Sequence, residues 1–435
     1  MKIITVLLAL LMGVSLVACA APAEFDEQTL KDGSVACVTA MQNGDFDAVI
    51  KKLSPATAAQ LRSDALKKAW DDTTAPLGKF QEDGAIHFID NKTSASVDVV
   101  SIYENAGLKS SFIYNAKGQI DGLWLKTIPA EIIAQTTDKF EEIPVRVGSG
   151  QNKLDGILTL PKGTENPPAA ILVQGSGPSD MNETIVANKP FEDFAHGLAE
   201  QGIATLRYHK RTYQYPQETK PEEITIEFEV LSDAAAAVEL LKNTSGIDNQ
   251  KIFVLGHSLG GMLAPKIAQD NNLAGLVCLA GSPRTLQELI LDQNKAAISS
   301  MTDKTDVQKQ ALLLQVQSEV QKAKDIKDTN DKSQPLGISA KYWYSLNQID
   351  TPKIASKLSI PMFFLQGTQD FQVSAEVDFE AWQALELKNA QFQLYDGLNH
   401  LFMQSDGTKS VEEYNKKSTV SPQVIADIAE FIKSN

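Results

Sequence analysis

The stretch "KIFVLGHSLGGMLA", Lys251–Ala264, decides how the chain is read. Ile252–Leu255 are apolar, Gly256-His257-Ser258-Leu259-Gly260 is rich in small residues, and Gly261 onward suits a helix. The pattern predicts a buried strand that turns sharply into a helix with Ser258 at the apex. Such a turn strains the apical backbone, and glycines two before and two after relieve the crowding. The helix start also aims the positive end of its dipole at any negative charge that builds beside the serine. Chance predicts about 0.1 Gly-x-Ser-x-Gly patterns in a chain of this composition, so the pattern set between a strand and a helix carries weight.

A serine hydroxyl is a poor nucleophile near neutral pH and needs an imidazole base, itself oriented by a carboxylate. The chain has five histidines. His87 lies in the N-terminal part, His196 in a helix before the elbow and His209 after an earlier strand. His257 adjoins the serine and is expected to point elsewhere. His400, in "DGLNH", remains as the candidate base. The candidate acid is Asp370, which follows the apolar run of "FFLQGTQD" at the carboxyl end of a strand, where parallel sheets place their sites. Asp378, expected in the following helix, and Asp396, crowding the histidine loop, are the weaker alternatives. Backbone amides of Leu259 and of Ser176, in "QGSGPSD", are the candidate oxyanion donors. A plain glycine loop is the other reading of the latter segment.

Working outward, "AAILVQGSG", "IATLRYHKR", "KIFVLGHS", "LAGLVCLAG" and "IPMFFLQG" read as buried strands with helical segments between them. That βαβ order implies a mainly parallel sheet. "FEEIPVRVG" and "KLDGILTLPKG" read as paired strands ahead of it. Residues 284–348 separate two sheet strands by a long helix-forming tract, which predicts an inserted helical cap. Residues 24–133 differ: two helical segments precede four alternating, turn-bounded runs, the signature of a small α+β domain. The expected division is therefore 24–133 and 138–435.

The N-terminus reads as an export signal. Lys2 is followed by the apolar run Ile3–Val17, too short for a comfortable span, and then by Leu16-Val17-Ala18-Cys19. That tetrapeptide resembles a bacterial lipobox, which makes 1–18 a signal peptide and Cys19 the lipidated residue. The expectation is an exported, membrane-anchored lipoprotein without a transmembrane helix. Cleavage after Ala20 or Ala21 as an ordinary secretory peptide is the alternative. Cys37 and Cys278 then read as buried free thiols. The chain of 435 residues has a net charge of −15 and no basic stripe, which argues against nucleic-acid partners. Neither CxxC nor HExxH occurs, so no metal site is expected.

Residues 138–435 resemble the α/β-hydrolase superfamily, in its serine-esterase group near dienelactone hydrolases and prolyl-oligopeptidase-like catalytic domains. The resemblance rests on "VQGSGPSDMNETI", "LRYHKR", "VLGHSLGG", "LQGTQDFQV" and "GLNH", and on the chain order Ser258, Asp370, His400. Residues 24–133 resemble the NTF2-like, DUF3887-type domain. The sequence departs from the family at Gln174, where histidine is commoner, and in "RYHKRT", where "RYDKRG" is usual. The resemblance implies a serine hydrolase acting on a small-molecule ester without a cofactor. A thioesterase, a small-peptide serine peptidase and a non-catalytic binding lipoprotein are the alternatives. Arg207 and Lys210 could hold a substrate carboxylate or form structural salt bridges. Tyr342 and Trp343, in "KYWYSL", could line an acyl pocket or pack the cap. The sequence leaves oligomeric state open.

Overall fold

The computed structural model describes residues 25–435 except 91, 105, 130–133, 151 and 217–218, and omits the side chains of residues 85 and 129. The expected signal peptide, 1–18, and Cys19 lie outside the described residues. The chain divides into two compact units between Thr137 and Asp138. Cys37 and Cys278 are buried free thiols. Among the described residues, no helix is long and apolar enough to cross a membrane.

The first unit opens with α1 (Glu27–Gln42), α2 (Phe46–Ile50), α3 (Pro55–Ala58) and α4 (Ser63–Thr74). Side chains of Asp26, Asp45 and Ser54 cap the first three by accepting amides of the opening turns. α1 buries Leu30, Ser34, Cys37, Val38 and Met41, one helical stripe. It packs on a four-stranded antiparallel meander of β1 (Phe80–Asp90), β2 (Ala95–Tyr103), β3 (Ala106–Tyr114) and β4 (Ile120–Pro129). Helices before an antiparallel sheet is the α+β order that the sequence predicts.

The second unit is an eight-stranded sheet. Its strands are β5 (Phe140–Val147), β6 (Leu154–Pro161), β7 (Ala169–Val173), β8 (Ala204–Tyr208), β9 (Ile252–His257), β10 (Gly275–Leu279), β11 (Met362–Gly367) and β12 (Ala390–Tyr395). They lie in the order β12-β11-β10-β9-β7-β8-β6-β5. β8 to β12 and β7 run parallel, and the β5–β6 hairpin adds antiparallel at one edge. The helices are α5 (Pro190–Glu200), α6 (Arg211–Gln214), α7 (Ser232–Lys242), α8 (Leu259–Asn271), α9 (Leu286–Ser300), α10 (Asp306–Asp325), α11 (Ala340–Asn347), α12 (Thr351–Ala355), α13 (Glu380–Gln383) and α14 (Pro422–Ser434).

Strand alternation divides the core in two. Ile171, Val173, Val254, Leu276, Cys278, Met362 and Phe364 face the side covered by α7, α8 and α12. Ala170, Leu172, Phe253, Leu255, Val277, Leu279, Phe363 and Leu365 face α5 and α14. Both faces are covered, so the central strands read as unbroken apolar runs. Between β10 and β11, α9, α10 and α11 form the helical tract expected over 284–348. α9 and α10 each begin with a capping box, on Thr285 and Thr305.

One buried charge group stitches the antiparallel edge to the parallel sheet. Arg207 on β8 pairs with Glu142 on β5 at 2.8 Å and donates to Thr159 on β6 at 3.0 Å. His196 on α5 holds the same Glu142 oxygen at 2.8 Å. Burial pushes the Glu142 carboxyl up, but the His196 bond and the Arg207 charge outweigh it and hold the pKa at about 2. A depressed pKa contributes stability that is present above the ordinary value of 4.5 and lost as pH falls through about 2. Glu142→Gln leaves the Arg207 guanidinium buried without its carboxylate and should cost about 3–5 kcal/mol in urea unfolding at pH 7. The gap from wild type should narrow as pH falls from 4.5 towards 2.

Candidate active site

β9 and α8 meet at Ser258, and the join is as sharp as the glycine spacing predicts. Ser258 has φ 54° and ψ −114°, a left-handed conformation that costs a non-glycine residue roughly 1–3 kcal/mol. Its amide donates to the Leu279 carbonyl at 2.8 Å and its carbonyl accepts from Met262 at 2.9 Å, which fixes the turn from both sides. The glycines are demanded by close approach. A methyl group at Gly256 would stand 2.1 Å from the Gly260 carbonyl oxygen, and one at Gly260 would stand 2.2 Å from that of Val173. Ser258 is partly exposed.

His400 and Asp370 come together as the sequence predicts. His400 Nδ1 lies 2.6 Å from Asp370 Oδ2, and both residues are buried. Gly367, the last residue of β11, makes this meeting possible. A methyl there would stand 2.3 Å from the Leu398 carbonyl oxygen, so only glycine lets the histidine loop lie against the strand end. The Asp370 carboxylate is held on every side. Oδ1 accepts amides of Gln372 at 2.7 Å and Val373 at 2.9 Å, and Oδ2 also accepts Gln366 Nε2 at 2.7 Å. With Nδ1 committed to Asp370, Nε2 is the nitrogen left for a proton from a nucleophile.

The alternative acids are engaged elsewhere. Asp378 accepts from Ser282, Arg284 and the Ser374 amide, and Asp396 accepts from Thr368. His257, expected to point away from the serine, lays its ring against that of His400, with centroids 4.6 Å apart, and its Nε2 donates to the His400 carbonyl at 3.0 Å. Its Nδ1 stands 3.0 Å from Glu183 Oε2, close but out of line for a hydrogen bond. His257 therefore links the elbow to the histidine loop.

The loop after β7 is braced by side chains. Gln174 Nε2 donates to the Tyr208 carbonyl and to that of Asp180 at 3.3 Å, so the glutamine supports the loop where the family commonly has histidine. His209, in place of the family's aspartate, still supplies an acceptor: its Nδ1 takes the Met181 amide at 2.9 Å. Gly175 lies beside Ser258, and a methyl there would stand 3.1 Å from Ser258 Cβ. Leu259 opens α8, so its amide has no intrahelical carbonyl.

The four candidate substrate contacts have internal partners instead. Arg207 is 1% exposed and bound to Glu142, Thr159 and Asn182. Lys210 is 2% exposed and bonds the Gly175 and Gly177 carbonyls and Glu229. Trp343 is fully buried in the core, its indole donating to the Pro335 carbonyl at 2.9 Å. Tyr342 is buried too, and burial, then the neighbouring Glu229 carboxylate, pushes its phenol pKa well up. Packing, not substrate access, accounts for all four. Glu183 escaped notice as a separate residue, although it lies inside the distinctive "GSGPSDMNET" segment. Among the described residues, no cluster of three or more potential ligands could hold a metal ion.

Residues 187–406 match the family described as serine aminopeptidase, S33. The chain is 34% identical over 397 residues to Esterase EstD of Thermotoga maritima, covering 89% of this chain and 92% of that protein. The chain belongs to this α/β-hydrolase family. Residues 34–123 match the family described as protein of unknown function DUF3887. Among solved structures, Est1E from Butyrivibrio proteoclasticus is 17% identical with a TM-score of 0.44, over 67% of this chain and 98% of that one. A dienelactone hydrolase from Anabaena variabilis is 16% identical with a TM-score of 0.41, over 68% and 98%.

Two consequences of this geometry can be measured. Gly260→Ala should fail to form the elbow, read as a melting temperature lowered by 5 °C or more or as loss of soluble protein. His257 is the second. Burial pulls its pKa down, but the Glu183 carboxylate, the His400 carbonyl and Asp370 outweigh that and raise it above 6.5. A raised pKa contributes stability that is complete below 6.5 and lost as pH rises through the raised value. The stability difference between wild type and His257→Gln should therefore be largest in mild acid and shrink toward alkaline pH.

Proposed function

We propose that this chain is a serine carboxylesterase that works through an acyl-enzyme. The observation that supports this most is the strained, partly exposed Ser258 at the elbow of a unit that also pairs His400 with Asp370. Family membership and the esterase relative support the same reaction class. In this reading Ser258 Oγ attacks the ester carbonyl carbon while His400 Nε2 takes the hydroxyl proton. Asp370 holds the tautomer and stabilises the imidazolium. Amides of Leu259 and Ser176 receive the oxyanion. The intermediate collapses as His400 gives its proton to the departing alcohol oxygen. Water, activated by the same imidazole, then releases the acid and frees Ser258. The substrate is a small-molecule ester, and the mechanism calls for no cofactor.

The family description favours one second reading, cleavage of an aminoacyl bond by the same groups. A panel of p-nitrophenyl esters, an acyl thioester and an aminoacyl anilide separates these chemistries, with the short esters expected to turn over fastest. The decisive test is labelling by a fluorophosphonate. Wild type should label and Ser258→Ala should not, with kcat lowered about 10⁴–10⁶-fold. Asp370→Asn should lose about 10⁴ in kcat with little change in fold. A folded wild type that neither labels nor turns over any of the panel would leave a binding lipoprotein as the better reading.

The proposed location is a membrane face, with the protein exported and anchored through acylated Cys19. Metabolic labelling with an alkyne fatty acid in a bacterial host should tag wild type and leave Cys19→Ala untagged. Equal tagging of both would remove the anchor.

A further inference from the structure

The charged motif "RYHKR" is not used by the proposed chemistry, yet its lysine is buried beside it. Lys210 sits just past the end of β8 and is 2% exposed. Its ammonium has three donors, and all three are engaged: the Gly175 carbonyl at 2.6 Å, the Gly177 carbonyl at 3.0 Å and Glu229 Oε1 at 3.1 Å. On the other side of Gly175, the amide donates to Glu183 Oε1 at 2.6 Å. Both polar groups of one glycine are thus gripped by buried charges of opposite sign. A methyl group on that glycine would stand 3.1 Å from Ser258 Cβ.

The peptide bond gives this grip a direction. A trans peptide is planar, and its C=O and the following N–H point opposite ways. The Gly175 carbonyl belongs to the same peptide unit as the Ser176 amide. Aiming that carbonyl at Lys210 Nζ turns the Ser176 N–H away from Lys210. The lysine charge also polarises the unit and strengthens its N–H as a donor.

We propose that Lys210 is a positioning residue that sets the plane of the Gly175–Ser176 peptide so that the Ser176 amide faces the oxyanion. This rests on the esterase reading above. Lys210 touches no substrate and acts through the backbone it holds. Glu229 balances its charge, and Glu183 keeps the glycine from rotating.

The test compares wild type, Lys210→Met and the double variant Lys210→Met/Glu229→Gln, in which no buried charge is orphaned. The readouts are kcat and KM on p-nitrophenyl acetate and the inhibition constant of a trifluoromethyl ketone, whose serine adduct carries an oxyanion. Circular dichroism and melting report folding. Removing one oxyanion donor is worth about 10²–10³ in kcat. The expected result is a fall of that order in kcat, KM within threefold, and a parallel weakening of the ketone. If the single variant does not fold, the double decides on the same criteria. Overturning results are kcat and ketone affinity within threefold of wild type, or a kcat loss with ketone affinity unchanged, the mark of a merely structural role. A folded wild type with no turnover and no serine labelling overturns the esterase reading and this proposal with it. An active wild type with an undiminished variant overturns this proposal alone.

Discussion

The backbone at Ser258 is the constraint around which the second unit is arranged. A non-glycine residue at φ 54° is unfavourable by itself and persists only where its surroundings leave no alternative. Here the surroundings are the carbonyls of Gly260 and Val173, which approach so closely that no β-carbon fits at Gly256 or Gly260. The approach depends on β7 and β9 being adjacent and parallel, in the register that pairs Val173 with Gly256. Sheet order, glycine spacing and serine geometry are therefore one condition. The close approach that excludes a β-carbon at Gly256 and Gly260 holds Ser258 in this turn.

A second theme is that charge inside this unit is committed. Glu142 and Arg207, Lys210 and Glu229, and Arg211 and Asp233 are opposite-charge pairs with at least one member buried. Burying an ion without a partner costs several kcal/mol, so each pair carries its own counter-charge and further hydrogen bonds. Three of the five residues in "RYHKR" enter such pairs. A reading of these cations as receptors for a substrate carboxylate treats them as exposed. Their place at a strand's carboxyl end suggested exposure, but the loops after β7 and β8 and the turn at Glu227–Leu231 close over them.

Legibility follows from the range of the interaction. The elbow at Ser258 and the pairing of Asp370 with His400 were readable because each is marked by local chemistry: a glycine-framed turn, a strand end, a glycine loop. The strands were readable because both faces of the sheet are covered, which leaves apolar runs. Glu183 was not legible as an individual, since nothing in its neighbours shows that its carboxylate reaches Gly175 across eight positions. Tyr342 and Trp343 failed for a related reason. An aromatic cluster on a helix looks the same whether it lines a pocket or fills a core, and the choice depends on what packs opposite. Here the Pro335 carbonyl and Glu229 supply the partners, and both are distant in sequence or set by loop geometry.

The two histidines beside the serine show how similar side chains divide their work. A carbonyl can only accept, so the bond to the His400 carbonyl puts a proton on His257 Nε2. The other nitrogen of His257 faces the Glu183 carboxylate, and that contact is attractive only when it is protonated as well. His257 thus stays in place, tying the elbow to the loop that carries His400. His400 has its own carboxylate in Asp370, on Nδ1, which leaves its second nitrogen free of that pairing. The His257 ring is tied through Nε2 to the His400 carbonyl, and the His400 ring through Nδ1 to Asp370. A proton shuttle needs one nitrogen uncommitted, and in the esterase reading proposed above that nitrogen is His400 Nε2.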